Sequence, residues 1–153
     1  MPGNHEIGTE RNPDFYKTLF HGFDWQLLIN DTTTFEGMKI LGSPYQPIFG
    51  NWAWNRDEEF RKEYWSKAPK CDILLTHAPA YGLLDQCDHG ERVGCPYIRE
   101  YIDRVKPKLA VCGHIHAAYG TMEHGETTIV NGSSCNERYK AVNKPIIVEL
   151  KNA

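Results

Sequence analysis

Apolar positions in this chain come in short runs, each bounded by turn-forming residues, and their spacing alternates between helical and extended. Asn12-Pro13 predicts a short helix from Pro13 to about Phe20, with Asn as the cap and Pro in the first turn. Trp25–Ile29 reads as a strand, and Thr33–Leu41 as two short strands or one bent at Gly37. The stretch from Ser43 to Asn55 is a loop rich in aromatic residues. Asp57 to Ser66 predicts a helix with Phe60, Tyr64 and Trp65 on its apolar side. Cys71–Thr76 is a short buried strand, followed by a long loop from His77 to about Gly94. Pro96 opens a helix that carries Tyr97, Ile98, Tyr101, Ile102 and Val105 at helical spacing, and Lys106-Pro107 ends it. Leu109–Cys112 is a second buried strand. Tyr119–Glu123 and Thr127–Val130 flank a hairpin turn, and Ile146–Leu150 is a last strand. Strand–helix alternation followed by consecutive strands predicts a mixed α/β or α+β fold.

The chain has 153 residues, the size of one domain, and 41 % apolar and 24 % charged residues place it among ordinary globular proteins. A net charge of −3 argues against a broad nucleic-acid-binding face. No apolar run approaches the roughly 20 residues needed to span a bilayer, and the first residues lack the basic and apolar regions of a signal peptide. The five cysteines, at 71, 87, 95, 112 and 135, contain no Cys-x-x-Cys pair. They predict reduced thiols in a cytoplasmic protein rather than a disulfide framework or a zinc ribbon.

Candidate chemistry gathers at three places. His77 follows the buried strand ending at Thr76, in Thr76-His77-Ala78-Pro79. His114 and His116 follow the strand ending at Cys112, in Gly113-His114-Ile115-His116. Gly3-Asn4-His5-Glu6 sets an amide, an imidazole and a carboxylate in a row. Carboxyl ends of strands are rigid and open onto a crevice, so α/β sheets collect ligands there. On a tight turn, which Gly113 permits, both histidines of this i, i+2 pair can point at one centre. Three imidazoles and an Asn carbonyl form the kind of donor set that binds zinc, iron or manganese. His21, His89 and His124 lack such context and read as surface residues.

These motifs, in this order, resemble the later motifs of the calcineurin-like metallophosphoesterases. The text around them, including Val93-Gly94-Cys95, Ala118-Tyr119-Gly120, Asn131-Gly132-Ser133-Ser134-Cys135 and Lys144-Pro145-Ile146-Ile147, is similar to the MPPED or UPF0046 branch. The likeness runs from residue 3 to about 150. It implies a β-sandwich flanked by helices, with two divalent ions at the sheet edge. It implies that Asn4, His77 and His114 are ligands of one ion, that His116 is a ligand of the other, and that His5 is the catalytic histidine facing the substrate. Glu6 takes the carboxylate position that can hold that imidazole. The reaction implied is two-metal hydrolysis of a phosphate ester.

The family's earlier motifs, Asp-x-His and Gly-Asp-x-x-Asp, have no match in the sequence. The resemblance therefore implies that residues 1–153 are the carboxyl portion of a single metallophosphoesterase domain, lacking its N-terminal strand–helix–strand part. Such a chain should hold at most one ion and hydrolyse phosphoesters weakly or not at all. The alternative is a non-catalytic member that uses the fold as an interaction module. The expected partner is a phosphate-ester or nucleotide small molecule, with nucleic acid and membrane disfavoured. Arg92 is a candidate for meeting a phosphate. Tyr45, Phe49, Trp52 and Trp54 either stack a base or roof a hydrophobic core.

Overall fold

The structure, a computed structural model, describes residues 1–20 and 22–150; His21 lies outside the described residues. Two short helices open the chain: α1 (Ile7–Arg11) and α2 (Pro13–Leu19). Asn12 caps α2, its Oδ1 accepting from the Phe15 N–H at 3.3 Å. Strands β1 (Asp31–Phe35) and β2 (Met38–Ser43) form a hairpin across the left-handed Glu36 and Gly37. A parallel two-stranded ribbon, β3 (Gln46–Pro47) with β4 (Asn55–Arg56), brackets the aromatic loop. Helix α3 (Glu58–Lys67) starts at Asp57, whose Oδ1 accepts from the Phe60 N–H at 2.8 Å. Then follow β5 (Ile73–Thr76), α4 (Pro96–Val105), β6 (Leu109–Cys112), a single 3₁₀ turn (His116–Ala118), β7 (Gly120–His124) and β8 (Thr127–Asn131). Lys106, in the left-handed region, and Pro107 stop α4.

The main sheet has six strands in the order β1-β2-β5-β6-β8-β7. Its four central strands are mutually parallel, and an antiparallel strand closes each edge. Register aligns Leu41, Leu74, Ala110 and Ile129 in one row across the parallel strands. All four are buried and pack against Trp65 of α3 and Ile98, Tyr101 and Ile102 of α4. This is the pattern of a parallel sheet covered by helices. On the opposite face Ile40, Ile73, Leu75 and Val111 are only half-buried, and the cover there comes from Leu28, packed onto Gly42. The fold is thus mixed α/β with a central sheet flanked by helices, as the sequence implies.

Two predicted strands do not form. Residues 25–29 contain no strand; the segment crosses the sheet face, where Leu28 fills the space over Gly42, instead of pairing at an edge. Residues 146–150 contain none either, and Ile147 is 89 % exposed. An alternating apolar pattern yields a strand only beside a partner edge, and no described strand lies against this segment. Two elements went unpredicted, helix α1 and the β3–β4 ribbon, which are both too short to carry a periodic signal. No described helix is long and apolar enough to cross a membrane.

Candidate metal centre

Parallel alignment puts the carboxyl ends of β5 and β6 side by side, so the residues that follow them are neighbours. The Gly113 N–H donates to His77 O at 3.1 Å and ties the two strand ends together. His114 has φ 68°, and the Ile115 N–H closes back onto Gly113 O at 2.7 Å around it. A non-glycine residue in this conformation is strained, and such strain collects at sites where a side chain must be aimed. The turn aims the His114 imidazole at His77: Nδ1 of His114 lies 3.1 Å from Nε2 of His77, with ring centroids 4.7 Å apart.

Asn4 completes the group. Its Oδ1 is 2.8 Å from the same His77 Nε2, its side chain is buried, and its backbone carbonyl accepts from the Ala53 N–H at 3.1 Å. The aromatic loop thus holds Asn4 in place. Gly3 allows this approach, because a Cβ there would lie 2.7 Å from two atoms of the His77 ring.

Burial, reinforced by the neighbouring His114, His5 and His116, pushes the His77 imidazole down to about 3. Burial, with His116 and His5 nearby, pushes His114 down to about 4. Both rings are therefore neutral at physiological pH, the form that binds metals. In that form either His77 Nε2 or His114 Nδ1 can carry the proton between them, so a single N–H stands among three lone-pair atoms, Asn4 Oδ1 included. One N–H serves two acceptors poorly, whereas a cation satisfies all three lone pairs. The donor set therefore fits a divalent transition metal. It consists of two imidazoles and an amide, and among the described residues no cluster of three His, Cys, Asp or Glu side chains is disposed around one ion.

The remaining motif residues surround this group without joining it. His116 Nδ1 is bonded to Asn136 O at 3.0 Å, and its ring stands edge-on to Tyr139. A carbonyl on Nδ1 fixes the tautomer and leaves Nε2 as the free lone pair. His5 packs edge-on against Trp52, 4.6 Å between centroids, with Tyr139 at 6.4 Å. Glu6 turns to Gly3, its carboxylate accepting from the Gly3 N–H. Arg92 donates to the fully buried Asp85 at 2.8 Å, and Asp85 also accepts from the Gly82 and Gly94 N–H groups. Arg92 therefore clamps the 77–94 loop. Tyr45 packs against Phe60 and Tyr64 under the Arg56 guanidinium, so it roofs the core instead of joining the histidines. Trp54 is buried there too, and Phe49 points to solvent.

Sequence reasoning missed Tyr139. It is 70 % exposed, has φ 56°, and stands beside two of the site histidines. The Asn136 side chain holds its turn, accepting from the Arg138 and Lys140 N–H groups. A turn-forming Asn three residues upstream is the only signal the sequence offers.

The chain matches the calcineurin-like phosphoesterases over residues 1–118. It is 42 % identical over 127 residues to metallophosphoesterase domain-containing protein 1 of Homo sapiens, a match covering 80 % of this chain and 39 % of the human protein. It is 30 % identical over 160 residues to a UPF0046 protein of Caenorhabditis elegans, covering 96 % of this chain and 55 % of that one. The chain thus spans about two-fifths to just over half the length of these relatives. Among solved structures, TT1561 of Thermus thermophilus aligns with a TM-score of 0.53 at 15 % identity, over 86 % of this chain and 60 % of its own. A second crystal structure aligns at 0.64 and 15 % identity, over 87 % of this chain and 56 % of its own. The structural likeness supports the fold, the sequence match supports the lineage, and the chain belongs to the calcineurin-like phosphoesterase family.

Proposed function

We propose that this chain carries the histidine-rich side of a metal-dependent phosphoesterase centre. The observation that carries this reading is the convergence of Asn4 Oδ1, His77 Nε2 and His114 Nδ1 within 2.8 and 3.1 Å contacts, with both rings half-buried and neutral. Asn4, His77 and His114 would hold one divalent ion, manganese, iron or zinc. His116, with Nδ1 engaged and Nε2 free, would serve a second ion, for which the described residues offer no cluster of further ligands. A bound divalent ion supplies Lewis-acid polarisation of a phosphoryl oxygen and a water acidic enough to attack near neutral pH.

The rest of the chemistry belongs to the chain's own groups. His5 sits at the edge of the cluster, braced by Trp52, where its imidazole can give a proton to the leaving oxygen. Trp52 and Tyr139 stand edge-on beside it. The substrate class is a small phosphate mono- or diester, nucleotides included. Free cysteines at all five positions support a reducing, cytoplasmic setting.

One observation favours the alternative, a non-catalytic interaction module. No carboxylate is bonded to either clustered imidazole, so nothing among the described residues offsets the repulsion of a second cation. Metal analysis together with hydrolysis of a chromogenic phosphodiester separates the two readings. The phosphoesterase reading expects about one ion per chain and slow turnover that is lost in His77→Asn. Stoichiometric metal without any turnover, both here and in a version extended upstream with Asp-x-His and Gly-Asp-x-x-Asp, would favour the interaction module.

A further inference from the structure

Among the described residues, Arg61 is a buried cation without an ion-pair partner. It lies on the inner side of α3 and is 9 % exposed. Its Nε donates to Arg56 O at 3.0 Å and its Nη1 to the Cys95 Sγ at 3.2 Å, a carbonyl and a thiol. Among the described residues it forms no ion pair, although Lys17, Arg56, Lys67, Arg92, Arg99 and Lys106 all do. Guanidinium stays charged at every accessible pH. Its guanidinium also lies over the Tyr97 ring, 5.7 Å from the centroid. A carbonyl, a thiol and an aromatic face, with no anion, offset the desolvation cost of this charge only in part.

The cation borders an open surface cleft of about 470 Å³, which Arg92 also lines. Asp85 occupies only Nη1 of Arg92, so its other N–H donors remain for a ligand. Pro47, Val93 and Tyr81 provide apolar walls, and Glu91 is the one acid on the rim. That carboxylate is exposed and bonded to His89 at 3.3 Å, so it does not neutralise Arg61.

We propose that this cleft is an anion site separate from the histidine cluster, taking a small organic molecule with a phosphate or carboxylate head. The free Nε and Nη2 donors of Arg92, with Nη2 of Arg61 beside them, supply the head-group recognition, and the volume and apolar walls leave room for an organic body. The site also has a physical link to the metal centre. The 77–94 loop starts at His77 and ends at the cleft, and the Cys95 N–H donates to Pro79 O at 2.9 Å between the two. A ligand clamping Arg92 would therefore stiffen the segment that presents His77.

The test uses the full 153-residue chain with chelator present, so that anions cannot collect on metal at the histidines. Inorganic phosphate and benzoate are titrated separately, with thermal midpoint and amide NMR shifts as readouts, and the two arms tell a phosphate head from a carboxylate head. The expected result is a saturable rise in midpoint with either probe, with shifts at Arg61, Arg92 and Val93. Arg92→Gln should weaken apparent affinity about tenfold, and Arg61→Met should abolish the saturable rise. His114→Asn should leave binding unchanged. If Arg61→Met does not fold, the Arg92→Gln titration and the NMR shifts still decide. The proposal is overturned if neither anion gives a saturable effect, if the effect persists undiminished in Arg92→Gln, or if it is lost in His114→Asn.

Discussion

The two clustered imidazoles and the groups around them are held in different ways. His77 and His114 leave adjacent parallel strands, and every strand in that part of the sheet is paired on both sides. Asn4, His5 and His116 depend on peripheral segments: Asn4 is fixed by one backbone bond to Ala53, His5 by an aromatic contact to Trp52, and His116 by the Asn136 carbonyl. The sheet can hold a donor to a few tenths of an ångström, and single contacts hold it less tightly. The half-site is thus rigid where it is built on strands and adjustable where loops complete it.

The largest test of this contrast concerns stability. Leu74, on β5 just before the site, is fully buried, whereas Ile147 on the C-terminal segment is 89 % exposed. Leu74→Ala should cost about 2–5 kcal/mol in chemical denaturation, and Ile147→Ala less than about 0.5 kcal/mol. Equal costs would mean that residues 146–150 pack in solution, against the fold described here.

Acid should act next in size. His77 and His114 have folded pKa values of about 3 and about 4, below the roughly 6.5 of an unfolded histidine. Between those limits the unfolded chain binds more protons than the folded one, so stability falls as pH drops below about 6.5 and the dependence flattens near the folded values. With chelator present, the loss from pH 7 to pH 4 should be on the order of 2–4 kcal/mol beyond the background of other groups. His77→Asn should remove a large share of that slope, and an unchanged slope in the variant would show that these rings are accessible to protons in the folded state.

A smaller and more local effect is expected at Gly3. A methyl group there would press on the His77 ring at 2.7 Å. Gly3→Ala should weaken metal affinity about tenfold, the range seen when groups that orient a ligand are disturbed, with little change in denaturation midpoint. If affinity holds, the N-terminal segment moves aside easily and Asn4 contributes little to the site.

The strand-borne half of the site was legible in the sequence because apolar runs ending at Thr76 and Cys112 place the next residues at the carboxyl ends of buried strands. Helices α3 and α4 were legible from their caps and periodicity, since Asp57 and Pro96 mark starts that tertiary packing respects. What could not be read was which segments find partners. Residues 25–29 and 146–150 have strand-like patterns, but pairing depends on an available edge, which local sequence does not encode. The same limit hid Tyr139, whose place beside His5 and His116 comes from a left-handed turn held by Asn136. It also placed Tyr45 and Arg92 among the candidates, since only the fold reveals that one roofs the core and the other clamps Asp85.

The central claim is that Asn4, His77 and His114 form one metal site, and cobalt(II) titration followed by visible absorption tests it most directly. The expected result is a single saturating event at one ion per chain, with d–d bands of a nitrogen- and oxygen-ligated ion, abolished in His114→Asn and weakened about tenfold in Asn4→Ala. Bands of the same intensity and midpoint in His114→Asn would contradict it.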